Sequence, residues 1–176
     1  MNRYLLNKGV VRRTVEALFK IALDLYLTSE QEQALNVLRH VATYHEAFIT
    51  IETFHILKTK ISKIPSSEMI LSLTEVSVPV RYSRRWARRL RDQNFSGEDA
   101  KLLSMATFGT DKIIGGTFLG LDAIITFDRH LAEKFNADID IINEGFQSLI
   151  SSLKEPYSNA HLPEVITVGR FLEDII

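Results

Sequence analysis

A run of apolar residues too short for a helix, which stops on a polar residue and turns at once into a helical pattern, limits the architectures open to this chain. In LDAIITFDRHLAEKF, residues 121–135, the run Ala123-Ile124-Ile125 ends in Thr126-Phe127-Asp128 and the helical pattern begins there. RYLLN, residues 3–7, repeats the arrangement as a short buried strand. After it, Val11, Val15, Leu18, Ala22 and Leu25 mark a helix over 10–26. A second helix is predicted in LTSEQEQALNVLRHVATY, where Thr28 or Ser29 precedes Gln31 or Glu32 by three residues in a capping-box pattern. FITIE, residues 48–52, is either a strand end or the start of the helix that Phe54, Ile56, Leu57 and Ile61 continue. Pro65 and two serines break the chain. EVSVPV, residues 75–80, then reads as a strand with an edge-type proline.

Two helices are expected next, over 81–92 and 97–108, and Gly115-Gly116 marks a turn. Further strands are expected at 122–126, 140–142 and 165–168, with helices over 128–135 and 144–153. Short strands alternating with helices call for an α/β fold in three layers, a mostly parallel central sheet flanked by helices. There is no internal repeat, low-complexity tract or Pro/Gly linker, so residues 1–176 are expected to form a single domain. In such sheets ligands sit at the carboxyl ends of the strands.

Composition excludes several classes. Without cysteine there is no disulfide, cysteine-held zinc or thiol nucleophile, a usage that fits a cytoplasmic location. The stretch MNRYLLNKGVVRR has too little apolar content for a signal peptide, and the longest uncharged apolar run, residues 113–121, is far short of the roughly 20 residues a membrane span needs. No membrane partner is therefore expected. The five histidines, His40, His45, His55, His130 and His161, show neither i,i+4 pairing nor an HExxH pattern. GxxxxGK[ST], GxGxxG and GxSxG elements are missing too, which argues against nucleotide-triphosphate, dinucleotide and serine-hydrolase chemistry.

The net charge of −1 hides an uneven distribution. RYSRRWARRLR, residues 81–91, carries Arg81, Arg84, Arg85, Arg88, Arg89 and Arg91 and no acid. Such a concentration points to a phosphate-bearing partner. The structural alternative is a solvated helix face whose arginines pair with acids elsewhere. Trp86 and Leu90, four apart, are expected to face the core, with stacking of Trp86 on a base as the alternative.

Four polar residues fall at strand ends or helix starts: Asn7, Glu52, Asp99 and Asp128. Three carboxylates and a carboxamide converging there would make an oxygen-only site suited to Mg²⁺ or Mn²⁺. Each also has a purely structural reading. Ser96-Gly97-Glu98-Asp99 is close to a capping box, and Asp128 is a favoured N-cap type. Glu52 is equally well a surface or capping acid. Asp122, as a polar strand entry, ranks below Asp128.

Taken together, the segments resemble the PIN-domain family of metal-dependent nucleases. RYLLNKGVVRR is similar to the first strand and turn, FITIETFHIL to the segment of the second acid, and FSGEDAKLLSMATFGTD to the helix opening with the third. LDAIITFDRHLAEKF is similar to the strand whose Thr-x-Asp supplies the fourth, and VITVGRFLEDI to the closing strand. The resemblance implies Asn7, Glu52, Asp99 and Asp128 as metal ligands, with Glu52, Asp99 and Asp128 catalytic and Thr126 helping to hold a water or phosphate. The family has aspartate where this chain has Asn7, and an amide oxygen brings no charge to the ion. The interval between Asp99 and Asp128 is also long for the family, by roughly TDKIIGGTFLG.

The leading expectation is thus a Mg²⁺- or Mn²⁺-dependent ribonuclease-like phosphodiester hydrolase acting on single-stranded RNA, with DNA as the other candidate substrate. Its six arginines would grip the backbone, and a metal-bound water would attack in line. A second expectation is a catalytically impaired PIN-like domain that binds RNA or a protein partner. A third, by analogy, is the toxin of a toxin–antitoxin pair with an antitoxin partner. A homodimer is expected from the resemblance.

Overall fold

The computed structural model describes residues 1–60, 63–111 and 119–175. A six-stranded sheet is assembled from β1 (Arg3–Leu6), β2 (Glu46–Thr50), β3 (Glu75–Pro79), β4 (Gly109–Asp111), β5 (Ala123–Thr126) and β6 (Glu164–Thr167) in the order β4-β3-β2-β1-β5-β6. Five strands are parallel, and only β4 runs against its neighbour β3. β1, β2 and β5 are buried along nearly their whole length, so a few apolar residues complete each of them.

The period-two alternation of side chains divides the core. Leu5, Phe48, Ile124 and Val165 point into one layer with α5 (Ser83–Asp92), α6 (Gly97–Thr107), α7 (Arg129–Ala137) and α8 (Ile139–Ile150). Tyr4, Leu6, Ala47, Ile49, Ala123 and Ile125 point into the other. That layer holds α1 (Lys8–Ala22), α2 (Ser29–Tyr44), α3 (Ile51–Lys60), α4 (Ser66–Leu73) and α9 (Val168–Asp174). The expected three-layer α/β architecture is therefore observed.

Several boundaries differ from the sequence reading, each for a local reason. Residues 140–142 are not a strand but part of α8. Asp-Ile-Asp-Ile mimics strand alternation, whereas Ile142, Phe146 and Leu149 are buried at helical spacing and Ile141 faces solvent. Helix α1 ends at Ala22, where Asp24 turns to φ 54, so Leu25 and Tyr26 lie beyond it, exposed. Pro79 is not on an edge strand, because β4 pairs outside β3. It closes β3 opposite Gly109. Helix α4 fills the interval after Pro65 that the sequence suggested was only a break. The capping box of α2 uses Thr28 and Gln31, reciprocally bonded. The expected turn at Gly115-Gly116, the helical position of Ile61 and most of the long interval before β5 lie outside the described residues.

Sheet order fixes where a site can form. From β1 the chain winds outward through β2 and β3, then returns to lay β5 and β6 on the other side of β1. The reversal lies between β1 and β5, and in such sheets a crevice opens at the carboxyl ends of the two strands flanking that point.

Candidate functional site

The residues leaving β1 and β5 are Asn7 and Thr126-Phe127-Asp128. Asn7 is the N-cap of α1, and its backbone carbonyl accepts from Val10 and Val11. Its side chain does not cap the helix. Instead Nδ2 donates to the Oγ1 of Thr126 at 2.8 Å, across the switch point, while the Asn7 N–H donates to the Ile125 carbonyl at 3.0 Å. Thr126, fully buried, also accepts from the Asp128 N–H at 3.0 Å. Asp128 caps α7, its Oδ1 accepting from the Leu131 N–H at 3.0 Å.

A hydroxyl row runs along this edge. The β1–β2 register places Asn7 next to Thr50, whose Oγ1 accepts from the Thr53 N–H at 3.2 Å. Thr126 pairs with Thr167, whose Oγ1 accepts from the Arg170 N–H at 3.4 Å. Strands β2, β5 and β6 thus end on a threonine that holds the turn into the next helix, and β1 ends on an amide. Short polar side chains favour such local bonds because they satisfy N–H groups at helix starts.

Helix α6 opens near the same edge. Ser96 caps it by accepting from the Asp99 N–H at 3.0 Å, and donates from its hydroxyl to Asp99 Oδ2 at 2.7 Å. Two lysines tie α6 to the strand ends. The Nζ of Lys8, the residue after Asn7, pairs with Glu98 Oε1, and Lys101 Nζ stands 3.6 Å from Glu52 Oε1. Glu52, in the first turn of α3, is exposed. Neither lysine was singled out from sequence; Lys8 adjoins Asn7, but its partner is 90 positions away. Asp122 belongs to the opposite end of β5, where its Oδ2 accepts from the Arg3 N–H at 2.6 Å.

A hard divalent cation needs several oxygen ligands around one point. Asn7, Glu52, Asp99 and Asp128 supply oxygens of the right chemistry. Yet among the described residues no three His, Asp or Glu side chains stand close enough to hold an ion. Glu52 faces an ammonium, Asp99 accepts from the Ser96 hydroxyl, and Asp128 caps α7. As arranged, this donor set does not fit a Mg²⁺ or Mn²⁺ centre.

The arginine segment presents a different surface. Trp86 and Leu90 are fully buried, and the Trp86 ring lies 5.4 Å from that of Phe146, so Trp86 is core and not a stacking platform. Arg89 is half-buried and donates to the Gly145 carbonyl at 2.8 Å, tying α5 to α8. Arg81 lies over the Tyr82 ring. Arg84, Arg88 and Arg91, at helical spacing on one face, and Arg85 beside them are exposed. Among the described residues none of these four has a carboxylate partner.

No helix among the described residues is long and apolar enough to cross a membrane. No protein-family model and no curated protein matches the chain. Among solved structures, a chain of the VapBC2 complex from Rickettsia felis, bound to a DNA fragment from their promoter, is similar at a TM-score of 0.46 and 14% identity. The match covers 77% of this chain and 92% of that one.

Proposed function

We propose that the chain is a PIN-like domain that binds the backbone of single-stranded RNA through α5, with catalysis impaired at the carboxyl ends of its strands. The observation that carries this reading is the set of exposed arginines Arg84, Arg85, Arg88 and Arg91 on one helix, which among the described residues meet no carboxylate. An unpaired guanidinium keeps its donors for phosphate oxygens, which it meets in a planar, two-point contact. Four such groups on ten residues of helix form a charge stripe a flexible single strand can follow. The impairment follows from the neutral amide at position 7 and from the lysine facing Glu52.

Metal-dependent phosphodiester hydrolysis is the second reading, favoured by the placement of Asn7, Thr126 and Asp128 together at the switch point. The antitoxin partner and the homodimer rest on the resemblance alone.

Gel-shift and product analysis of one labelled single-stranded RNA, with Mg²⁺, with Mn²⁺ and with EDTA, separates the readings. The proposal expects binding that persists in EDTA, no cleavage products, and loss of binding when Arg84, Arg85, Arg88 and Arg91 are all changed to Ala. Retention of full affinity by that variant would overturn the RNA interface. Metal-dependent products would establish the hydrolase.

A further inference from the structure

We infer that Lys8 and Lys101 are the built-in counter-cations of the carboxyl-end site, and that this site holds its acids without a divalent ion. The inference rests on reading that edge as a PIN-like site, but not on RNA binding by α5.

The argument starts from charge. Carboxylates gathered at one strand edge repel one another unless something positive stands among them. Here the positive groups are part of the chain. Lys101, two residues after Asp99 on α6, reaches Glu52 at the start of α3, with 3.6 Å between Nζ and Oε1. Lys8, immediately after Asn7, pairs with Glu98, immediately before Asp99. The two pairs lace α6 to the carboxyl ends of β1 and β2, which is also what a bridging ion would do. Of the four acids at this edge, Glu52 and Glu98 each pair with a lysine of the same chain, while among the described residues Asp99 and Asp128 pair with no cation.

Those two are already satisfied by other means. Asp99 accepts from the Ser96 hydroxyl and lies in the first turn of α6, and Asp128 caps α7, where each carboxylate is stabilised by the positive end of a helix. Asn7 adds no charge, and its amide is committed as a donor to Thr126. An incoming Mg²⁺ or Mn²⁺ would have to displace the Lys101 ammonium, break the Asp128 cap of α7 and take the Asp99 carboxylate from the Ser96 hydroxyl. It would recover fewer charged ligands than a site with an aspartate at position 7 would provide.

Calorimetric titration with Mn²⁺ alone, which reads no enzymatic activity, tests this on the full chain. The wild type is expected to show no saturable heat at millimolar Mn²⁺. The double variant Asn7→Asp with Lys101→Ala is expected to gain saturable binding, at least about tenfold tighter than either single variant. Circular dichroism confirms that each variant folds, and Lys101→Gln serves if the alanine does not. Saturable submillimolar binding by the wild type would overturn the inference. A folded double variant that gains nothing would overturn it too, because the lysine and the amide would then not be what excludes the ion. RNA binding in EDTA, measured on the same samples, reports separately on the α5 interface.

Discussion

The side-chain amide of Asn7 donates a 2.8 Å hydrogen bond to Thr126 Oγ1, joining the residues that leave β1 and β5 at the point where the sheet reverses its winding. Thr126 Oγ1 simultaneously accepts from the Asp128 N–H. One buried hydroxyl therefore holds together the turn into α1 and the turn into α7. Replacing it by the isosteric methyl in Thr126→Val strands both donors. The expected cost is about 1–3 kcal/mol in urea denaturation, the range for leaving buried polar groups without partners. Asn7→Asp is expected to be milder, because the hydroxyl can turn to donate to the carboxylate. Equal stabilities for Thr126→Val and wild type would show that the bond carries no weight.

The arginine face makes a salt-dependence prediction. Each phosphate contact with a single strand steepens the dependence of log affinity on log salt by about 0.7. Changing Arg84, Arg85, Arg88 and Arg91 to Ala should flatten that slope by up to roughly 3 and lower affinity for every RNA sequence alike. Arg89→Ala should act differently, lowering stability through the lost bond to the Gly145 carbonyl. Filter binding over a salt series separates the two effects.

Trp86 is predicted to matter for folding and not for a base contact. It is fully buried against Phe146. Trp86→Ala is expected to cost about 3–5 kcal/mol, as large-to-small changes of aromatic core residues do. Trp86→Phe should keep most stability and leave RNA affinity unchanged. A selective loss of RNA affinity in a fully stable Trp86→Phe protein would restore the stacking role.

Gly109 opens β4 where a side chain has no room. A Cβ there would meet the Met105 carbonyl oxygen and Ser77 Oγ, one of them backbone that cannot step aside. Gly109→Ala should lower the melting temperature by several degrees and weaken the β3–β4 pairing, for which amide exchange at Val78 is a readout. Unchanged exchange and melting would sink this account.

The His45 imidazole is held below its ordinary pKa, first by burial, then by the charge of His40 and of the N-terminal amine. The Asn2 N–H donates to its Nδ1, and Tyr4 packs against its ring. The folded state therefore resists a proton that the unfolded chain accepts near 6.5. The contribution is fully present above that value and is lost as pH falls through it, since the unfolded state then binds more protons. Melting curves across this range should show a slope that His45→Gln reduces. An identical slope in both proteins would assign it elsewhere.

Much of the fold was legible because the signals were local. The apolar runs at β1 and β5, the helical spacing after Lys8, and the Thr28–Gln31 capping box each involve residues within a few positions of one another. The error at residues 140–142 has the same origin, since alternation over three residues is shorter than either period needs to declare itself. Arg89 shows what local spacing leaves out. Its spacing matches the other arginines, but its guanidinium also donates to the carbonyl of Gly145, 56 positions away.

Neighbours along the chain account for the short buried strands, most of the helices between them, the arginine stripe and the polar residues at strand ends, because propensity, periodicity and charge are local properties. What those polar residues do is set by the way the strands are laid together. Whether Asn7 caps a helix or bonds Thr126, and whether Glu52 faces a metal or Lys101, depends on partners 119 and 49 positions away. Hydrogen bonds and ion pairs act over a few ångströms, so their outcome is set by the order in which strands are laid side by side.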